Sequence, residues 1–264
     1  MENPSPTTDS VLVQREGAVL TLTFNRPEAR NAMTWQMYER LYACCEEVDS
    51  DDSVRVLVLK GAGGKAFVAG TDIGQFAEFK SGEDGLRYER DSERYLSRIA
   101  RVKKPVIAQI QGFAVGGGFG IAAGADVRIA TPDASFGVPI ARTLGNCLSM
   151  PAYASFVDIL GASRLKEMML TARLLSAEEA LAAGFVHHIV QADAIDAHVQ
   201  ELSARIATHA PITMAVTKES IRRIQAARAL PDGDDLIRKT YGSEDFREGV
   251  RAFIEKRPPR WSGK

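Results

Sequence analysis

Cysteine is scarce in this chain of 264 residues, which contains only Cys44, Cys45 and Cys147. None of them belongs to a CxxC pair or has a histidine at metal-ligand spacing, which argues against a disulfide framework and against a zinc site. A reducing cytoplasm fits this cysteine content best. No metal is expected, and no tightly bound cofactor is predicted for this chain.

Long apolar runs and an excess of charge of either sign are also missing. No stretch of about 18 apolar residues is present, so the sequence predicts no membrane-spanning helix. Residues 1–10 are polar, lack the apolar centre of a signal peptide, and are predicted to be a flexible N-terminus. The formal net charge of -1 argues against a general binder of nucleic acids or membrane surfaces.

Glycine, by contrast, is concentrated at residues 103–130, which read KKPVIAQIQGFAVGGGFGIAAGADVRIA. The pattern predicts a buried strand at 106–110, a helix that follows the three glycines, and a second strand at 127–130. The first amides of a helix have no partner inside it, so this junction offers donors to a negatively charged oxygen. Glycines also permit close helix packing, and the stretch alone leaves both interpretations open.

Two nucleotide-binding motifs are matched only in part. Gly118, Gly120 and Ala123 have the spacing of a dinucleotide fingerprint, but no acidic residue follows near position 143. The segment GAGGKAF at 61–67 resembles a phosphate-binding loop but has Ala66 where Ser or Thr must hold magnesium. A nucleotide-dependent dehydrogenase is therefore disfavoured.

The order of local patterns predicts two regions. Strands are expected at 11–13, 18–24, 54–59 and 66–68, and a second strand-to-helix junction follows at residues 69–72. The charge-rich run at 78–101 fits either a solvated helix face or a lid over a polar substrate. Helices are also expected at 152–160 and 163–171, and a last strand at 185–190. From about residue 195 only helices are predicted, at 194–208, 213–229 and 235–254. This change divides the chain into 11–195 and 196–264.

Six segments of residues 11–257 stand out together: FNRPEARNAM, KAFVAGTDI, KKPVIAQIQGFAVGGGFGIAAGADVRIA, SFGVPIARTLG, LTARLLSAEEALAAGFV and FREGVRAFIEKR. In this order they resemble segments of the crotonase superfamily, also called the enoyl-CoA hydratase/isomerase family. The resemblance covers residues 11–257 and implies an α/β fold, with a crotonase-like ββα spiral core at 11–195. It also implies a C-terminal helical region at 196–264 that forms a homotrimer or a dimer of trimers.

The resemblance also implies a substrate and its binding residues. Members act on acyl-CoA thioesters and stabilise an enolate or a related oxyanion with two backbone N–H groups, which by motif belong to Ala69 and Gly117. Lys256 suits a phosphate of coenzyme A but equally fits an exposed surface lysine. The residues expected to bind coenzyme A are Ala29, Arg30, Ala69, Gly70, Thr71, Asp72, Ile73, Phe253 and Lys256.

The sequence departs from the hydratases at both catalytic glutamates. Gly120 and Ile140 occupy these two positions, and neither side chain can exchange a proton. We therefore expect an acyl-CoA-processing lyase or isomerase of this family in which standard hydration is doubtful. The alternatives are isomerisation, decarboxylation or thioester hydrolysis on the same fold, or a non-catalytic acyl-CoA-binding protein.

Four other side chains are candidates for the missing proton chemistry. Arg142 fits either a substrate carboxylate or carbonyl, or a structural salt bridge. Cys147 is either a nucleophile or a half-buried structural residue. Asn146 lies beside it in the same loop, and Tyr95 lies in the helix predicted after KAFVAGTDI. The four histidines, which lie in or after the last predicted strand, are interpreted as structural or surface residues.

Overall fold

A six-stranded sheet lies at the centre of the computed structural model, which describes residues 9–264. Its strand order is β1–β2–β3–β5–β7–β10, with β1 and β2 antiparallel and the remaining pairs parallel. Leu22 and Phe24 of the second strand are fully buried, whereas Thr21 is half-buried. The strands are β1 (Val11–Glu16), β2 (Val19–Phe24), β3 (Val56–Gly61), β5 (Val106–Ile110), β7 (Val127–Ala130) and β10 (His188–Ile189).

A second sheet of four short strands lies beside the first, in the order β4–β6–β8–β9. Three of its strands follow β3, β5 and β7 along the chain, so each turn of the chain contributes one strand to each sheet and then a helix. This arrangement is a spiral of ββα turns, and it confirms the predicted fold class. The strands are β4 (Ala66–Ala69), β6 (Phe113–Val115), β8 (Ser135–Gly137) and β9 (Leu175–Ser176).

The helices of the spiral alternate with the strands of the two sheets along the chain. Thr34 caps the first helix by accepting a hydrogen bond from the Met37 N–H, at 3.3 Å. Gly161 has a φ of 72° and interrupts the fifth helix, which agrees with the two helices predicted there. The helices are α1 (Trp35–Ser50), α2 (Gly82–Ala100), α3 (Gly117–Gly124), α4 (Ile140–Thr143), α5 (Met150–Leu170) and α6 (Ala177–Ala182).

The C-terminal part of the chain is helical, as predicted. Ile195 and Val199 of α7 pack against Val56 and Ile107 of the large sheet, so α7 covers one face of that sheet. The single helix expected at 235–254 is two helices, because Gly242 is the C-cap of the first and Ser243 is the N-cap of the next. The helices are α7 (Ile195–Ala207), α8 (Pro211–Ala226), α9 (Asp234–Tyr241) and α10 (Glu244–Ile254).

Two further properties follow from a search of residues 9–264. No helix in that range is both long and apolar enough to cross a membrane. Within the same range, no three side chains of the His, Cys, Asp and Glu types are grouped so as to hold a metal ion.

Candidate active site

The structure brings together the two strand-to-helix junctions that the sequence predicts. β4 runs parallel to β6, with Ala69 paired with Val115, so the segments that follow both strands leave the small sheet side by side. Gly117 begins α3, and a Cβ atom placed on it would lie 3.3 Å from Thr71 Oγ1 and 3.7 Å from Thr71 N. The first turn of α3 therefore lies directly against the chain at Thr71.

The amide that accompanies Gly117 is that of Thr71, which corrects the prediction made for Ala69. The Ala69 N–H donates to the Arg30 carbonyl at 3.1 Å and is therefore occupied. Gly70 has a φ of 97°, a conformation that glycine adopts readily, and it turns the chain after β4. Among residues 9–264, no hydrogen-bond acceptor is found for the Thr71 N–H or the Gly117 N–H. These two donors are available to a ligand.

Two tyrosine hydroxyls surround the Thr71 side chain. Thr71 Oγ1 lies 2.9 Å from Tyr38 Oη and 3.1 Å from Tyr88 Oη. Burial raises the pKa of the Tyr38 phenol well above its ordinary value and that of Tyr88 to about 12. Both phenols are therefore neutral at physiological pH, so they can donate hydrogen bonds but do not serve as bases.

The loop of the FNRPEAR segment is held against the same junction. Arg26 Nη1 and Nη2 both lie 3.1 Å from Asp72 Oδ2, and Arg26 Nη1 also donates to the Ala32 carbonyl at 2.7 Å. Ala29 and Arg30 lie in this loop, and the Arg30 side chain is exposed over the ring of Phe113 at 5.5 Å. The expected coenzyme A residues of the first half of the chain thus gather around Thr71.

Helix α10, near the C-terminus, packs against the turn that follows Thr71 in the same chain. Phe246 of α10 lies 6.2 Å, between ring centroids, from Phe76, which ends the turn Ile73–Phe76 after Thr71. Phe253 lies near the end of α10 and Lys256 just beyond it, and both side chains are exposed. They are accessible to a ligand, and their assignment to coenzyme A stays a prediction.

Comparison with known proteins agrees with this geometry. The sequence profile of the family described as Enoyl-CoA hydratase/isomerase matches residues 14–264. The chain belongs to this family. It is therefore a member of the crotonase superfamily, whose enzymes process acyl-CoA thioesters.

Individual relatives in the family carry different activities. The chain is 32% identical over 252 residues to a short-chain-enoyl-CoA hydratase of Clostridium acetobutylicum, covering 94% of this chain and 96% of the hydratase. It is also 32% identical to the 1,2-epoxyphenylacetyl-CoA isomerase of Escherichia coli, covering 96% and 98% of the two chains. A structure of methylmalonyl-CoA decarboxylase in complex with 2-nitronate-propionyl-CoA superposes with a TM-score of 0.89, at 27% identity, and covers 97% of this chain and 99% of that one.

The two positions of the family's glutamates are apolar here. Gly120 is buried in α3, and a Cβ atom on it would lie 2.8 Å from Leu96 Cδ1 of α2. Ile140 begins α4 and is 8% exposed. No carboxylate therefore reaches the site from either of these positions.

The four candidates for proton chemistry lie in different environments. Arg142 is exposed, and its side chain forms no hydrogen bond or ion pair with any residue in the range 9–264. Asn146 Nδ2 donates to Tyr241 Oη at 3.0 Å, whereas its buried Oδ1 has no partner in that range. Burial raises the pKa of the Cys147 thiol to about 11, so the thiol is protonated at neutral pH. Tyr95 donates to Glu39 of α1, and its ring stacks on that of Tyr38 with 5.3 Å between the centroids.

One buried and one half-buried glutamate of α2 are acidic groups that the sequence analysis missed. Glu89 is 4% exposed; its oxygens accept hydrogen bonds from Tyr241 Oη at 2.6 Å and from the Ser149 N–H at 2.8 Å. Burial raises the pKa of Glu89 to about 7. Glu93, one turn later, is half-buried, and burial also raises its pKa.

The sequence does contain a signal for this placement. Leu86, Tyr95 and Ile99 are buried on α2, and their helical spacing also places position 89 on the buried face. The high charge of the run 78–101 obscured this pattern. Helix α2 does have a buried face, and that face contains carboxyl groups as well as apolar side chains.

Proposed function

We propose that this protein stabilises the enolate, or a related oxyanion, of an acyl-CoA thioester between the N–H groups of Thr71 and Gly117. The observation that carries the proposal is the meeting of these two free amides, one from each strand-to-helix junction. The positive end of the α3 dipole adds to their attraction for a negatively charged oxygen. Loss of one such donor typically costs on the order of 100-fold or more in rate.

The coenzyme A portion of the substrate is assigned to the residues around the same junction. Ala29 and Arg30 supply the loop on one side, and residues 70–73 supply the backbone beside the thioester. Phe253 and Lys256 contribute from the C-terminal end of α10, where the exposed ammonium suits a phosphate. Coenzyme A enters as part of the substrate, and no separate cofactor is assigned.

The reaction proposed is not the usual syn-hydration. Gly120 and Ile140 provide no acid or base, so water activation at the family's usual positions is missing. Double-bond isomerisation requires the oxyanion site and a single proton carrier. Decarboxylation is the second candidate, because cleavage of the bond to CO2 delivers its electron pair directly to the enolate without a base. The structural similarity to methylmalonyl-CoA decarboxylase favours this candidate.

The assembly proposed is a homotrimer or a dimer of trimers. Helix α8 has no buried residue in the isolated chain, and several of its apolar side chains are exposed. Such an unpartnered apolar face is typical of a subunit interface. Sedimentation equilibrium should give three or six times the mass of the chain, and a monomer would contradict the assignment. The side chains concerned are Ile212, Val216, Ile221 and Ile224.

The oxyanion site is tested by incubating the protein with crotonyl-CoA in heavy water and analysing the thioester by mass spectrometry. We expect deuterium uptake by the wild type and a loss of about 100-fold or more in Gly117→Ala. The added Cβ would lie 2.4 Å from Tyr38 Oη and would crowd Thr71. Gly124→Ala, at the other end of α3, is the matched control and should react like the wild type.

The outcomes separate the candidate functions. Wild-type exchange that is unaffected by Gly117→Ala would overturn the oxyanion assignment. Hydrated product at a hydratase-like rate would show that water is activated without the two usual glutamates. Binding of crotonyl-CoA without deuterium uptake or product would favour a non-catalytic acyl-CoA-binding protein. Release of CO2 from a 2-carboxyacyl-CoA would identify the decarboxylase.

A further inference from the structure

Glu93 of α2 lines two cavities that meet at this helix. The first, of about 420 Å³, lies between α2, α3, α5 and α8, and Gly120 forms part of its wall. The second, of about 320 Å³, also contains Glu89 and Ser149 in its wall. A carboxylate of α2 thus faces the same space as the position from which the family's first glutamate is missing.

The first cavity begins one helical turn from the proposed oxyanion site. Gly117 and Gly120 are three residues apart in α3 and lie on neighbouring parts of one helix face. Leu96 of α2 packs against Gly120, and Ile99 of α2 packs against Gly124, so the two helices run side by side in the same direction. Glu93 lies one turn before Leu96 on α2 and is therefore placed toward the start of α3, where Gly117 supplies its amide.

The Glu93 carboxylate has no partner among the described residues. No hydrogen bond or ion pair joins its side chain to any residue of the range 9–264, so its lone pairs are uncommitted. Glu89, by contrast, already accepts hydrogen bonds at both oxygens. Burial raises the pKa of Glu93 above its ordinary value, which makes its carboxylate a stronger base than that of an exposed glutamate.

Neighbouring cations do not neutralise this carboxylate. Asp232 and Asp234 add negative charge to the wall of the second cavity. Arg101 lies near enough to favour the charged form of Glu93, but burial outweighs it. The other cations of the two walls are held elsewhere: Arg90 by Asp234, Lys218 by Asp126, Arg222 by Glu219, and Arg128 by the carbonyls of Phe185 and Ala125.

We propose that Glu93 is the catalytic proton carrier of this site and replaces the carboxylate missing at position 120. Its carboxylate removes a proton from the α-carbon of the thioester, and the C–H electron pair forms the enolate double bond. The carbonyl π pair moves to the oxygen, which the Thr71 and Gly117 amides hold. The Glu93 carboxylic acid then returns the proton to the α-carbon or, in an enoyl thioester, to the γ-carbon, which completes an isomerisation.

This inference rests on the proposed oxyanion function, and its test separates the two. Acetyl-CoA, butyryl-CoA and phenylacetyl-CoA are incubated in heavy water with wild type, Glu93→Gln and Asp91→Asn. Asp91 is an exposed residue of the same helix with the same charge, so its variant is the matched control. We expect Glu93→Gln to slow deuterium uptake by 100-fold or more and Asp91→Asn to leave it unchanged.

Three further measurements make the result specific. Thioester affinity, measured by calorimetry, should stay within a few-fold of wild type in Glu93→Gln. The wild-type exchange rate should rise with pH as Glu93 loses its proton, and this rise should disappear in Glu93→Gln. Glu93→Asp, which keeps the carboxyl group but shortens the side chain, should retain partial activity and covers the case in which Glu93→Gln does not fold.

Two results would overturn the assignment, and they differ in meaning. Wild-type rates of exchange in Glu93→Gln would eliminate Glu93 while leaving the oxyanion site in place. An absence of exchange by the wild type with all three thioesters, although they bind, would eliminate this role of Glu93. Release of CO2 from a 2-carboxyacyl-CoA by the same protein would then show that the oxyanion site is still used, and the absence of that reaction as well would eliminate the oxyanion function.

Discussion

The hydroxyl of Thr71 lies 2.9 Å from the phenol oxygen of buried Tyr38. Tyr38 belongs to α1 and Thr71 follows β4, so this contact joins two elements on either side of the oxyanion site. The backbone N–H of the same threonine has no acceptor among residues 9–264 and lies beside Gly117. The packing of α1 therefore involves the same residue that supplies one of the two proposed oxyanion donors.

Replacing Thr71 by Val should destabilise the protein by about 1–3 kcal/mol, because the buried Tyr38 hydroxyl then has no partner. Val keeps the branched shape and the backbone N–H, so the change removes only the hydroxyl. The double variant Thr71→Val with Tyr38→Phe should lose less stability than the sum of the single changes. Urea unfolding measures all three values, and strictly additive losses would show that the two hydroxyls do not interact.

Replacing Arg26 by Lys should destabilise the loop that contacts Thr71 by about 1–2 kcal/mol and weaken thioester binding. Lysine keeps the charge but not the fork of donors that reaches Asp72 and the Ala32 carbonyl. The exposed pair of Arg40 with Glu47, 2.9 Å apart, provides the control. Arg40→Lys should cost under about 0.5 kcal/mol in the same urea titration. Equal losses in both variants would argue against a special role for Arg26.

The buried Glu89 should make stability depend on pH. Its pKa is raised from 4.5 to about 7 in the folded protein, so the folded state binds this proton more tightly than the unfolded chain does. The resulting stabilisation is fully present below about pH 4.5 and is lost as the pH rises to about 7. Over this window the loss should be about 3 kcal/mol.

The Glu89→Gln variant isolates this contribution, because it cannot titrate at that position. Unfolding free energies of wild type and variant are compared by urea titration between pH 4.5 and 8. As the pH rises, the unfolding free energy of the wild type should fall relative to that of the variant. A difference that is independent of pH would show that the folded-state pKa of Glu89 is not raised.

Cys147 should be unreactive in the folded protein. Burial raises the pKa of its thiol to about 11, and those of Cys44 and Cys45 to about 12, so little thiolate is present at neutral pH. Ellman's reagent should react with the three thiols slowly in buffer and rapidly in guanidinium. Cys147→Ala should keep the wild-type rate of deuterium exchange into the thioester. A loss of exchange without a loss of thioester binding would instead support a nucleophilic role for the Cys147 thiol.

The sequence predicted the fold well where the signals are local. The strands at 106–110 and 127–130 agree residue by residue with the structure, because each is a short apolar run bounded by turn residues. The last strand, predicted as 185–190, is only His188–Ile189, because it pairs over two residues at the edge of the sheet.

The active site was predicted less completely. The junction at Gly117 follows from its glycine pattern, but the partner amide was assigned to Ala69 instead of Thr71. The two positions differ by two residues, and only the contact of Ala69 with Arg30 reveals which amide is occupied. Likewise, the burial of Glu89 depends on Tyr241 and Ser149, which are distant in sequence.

The sequence by itself determined the order of ββα turns, the two glycine-rich junctions and the absence of glutamate at positions 120 and 140. These features are determined by residue type and short-range spacing, which act before distant segments meet. Only the tertiary structure decided which amides remain unpaired and which carboxyl groups lie in cavities. Hydrogen-bond occupancy and burial depend on what packs against a residue, and here the packing partners come from other turns of the spiral and from the C-terminal helices.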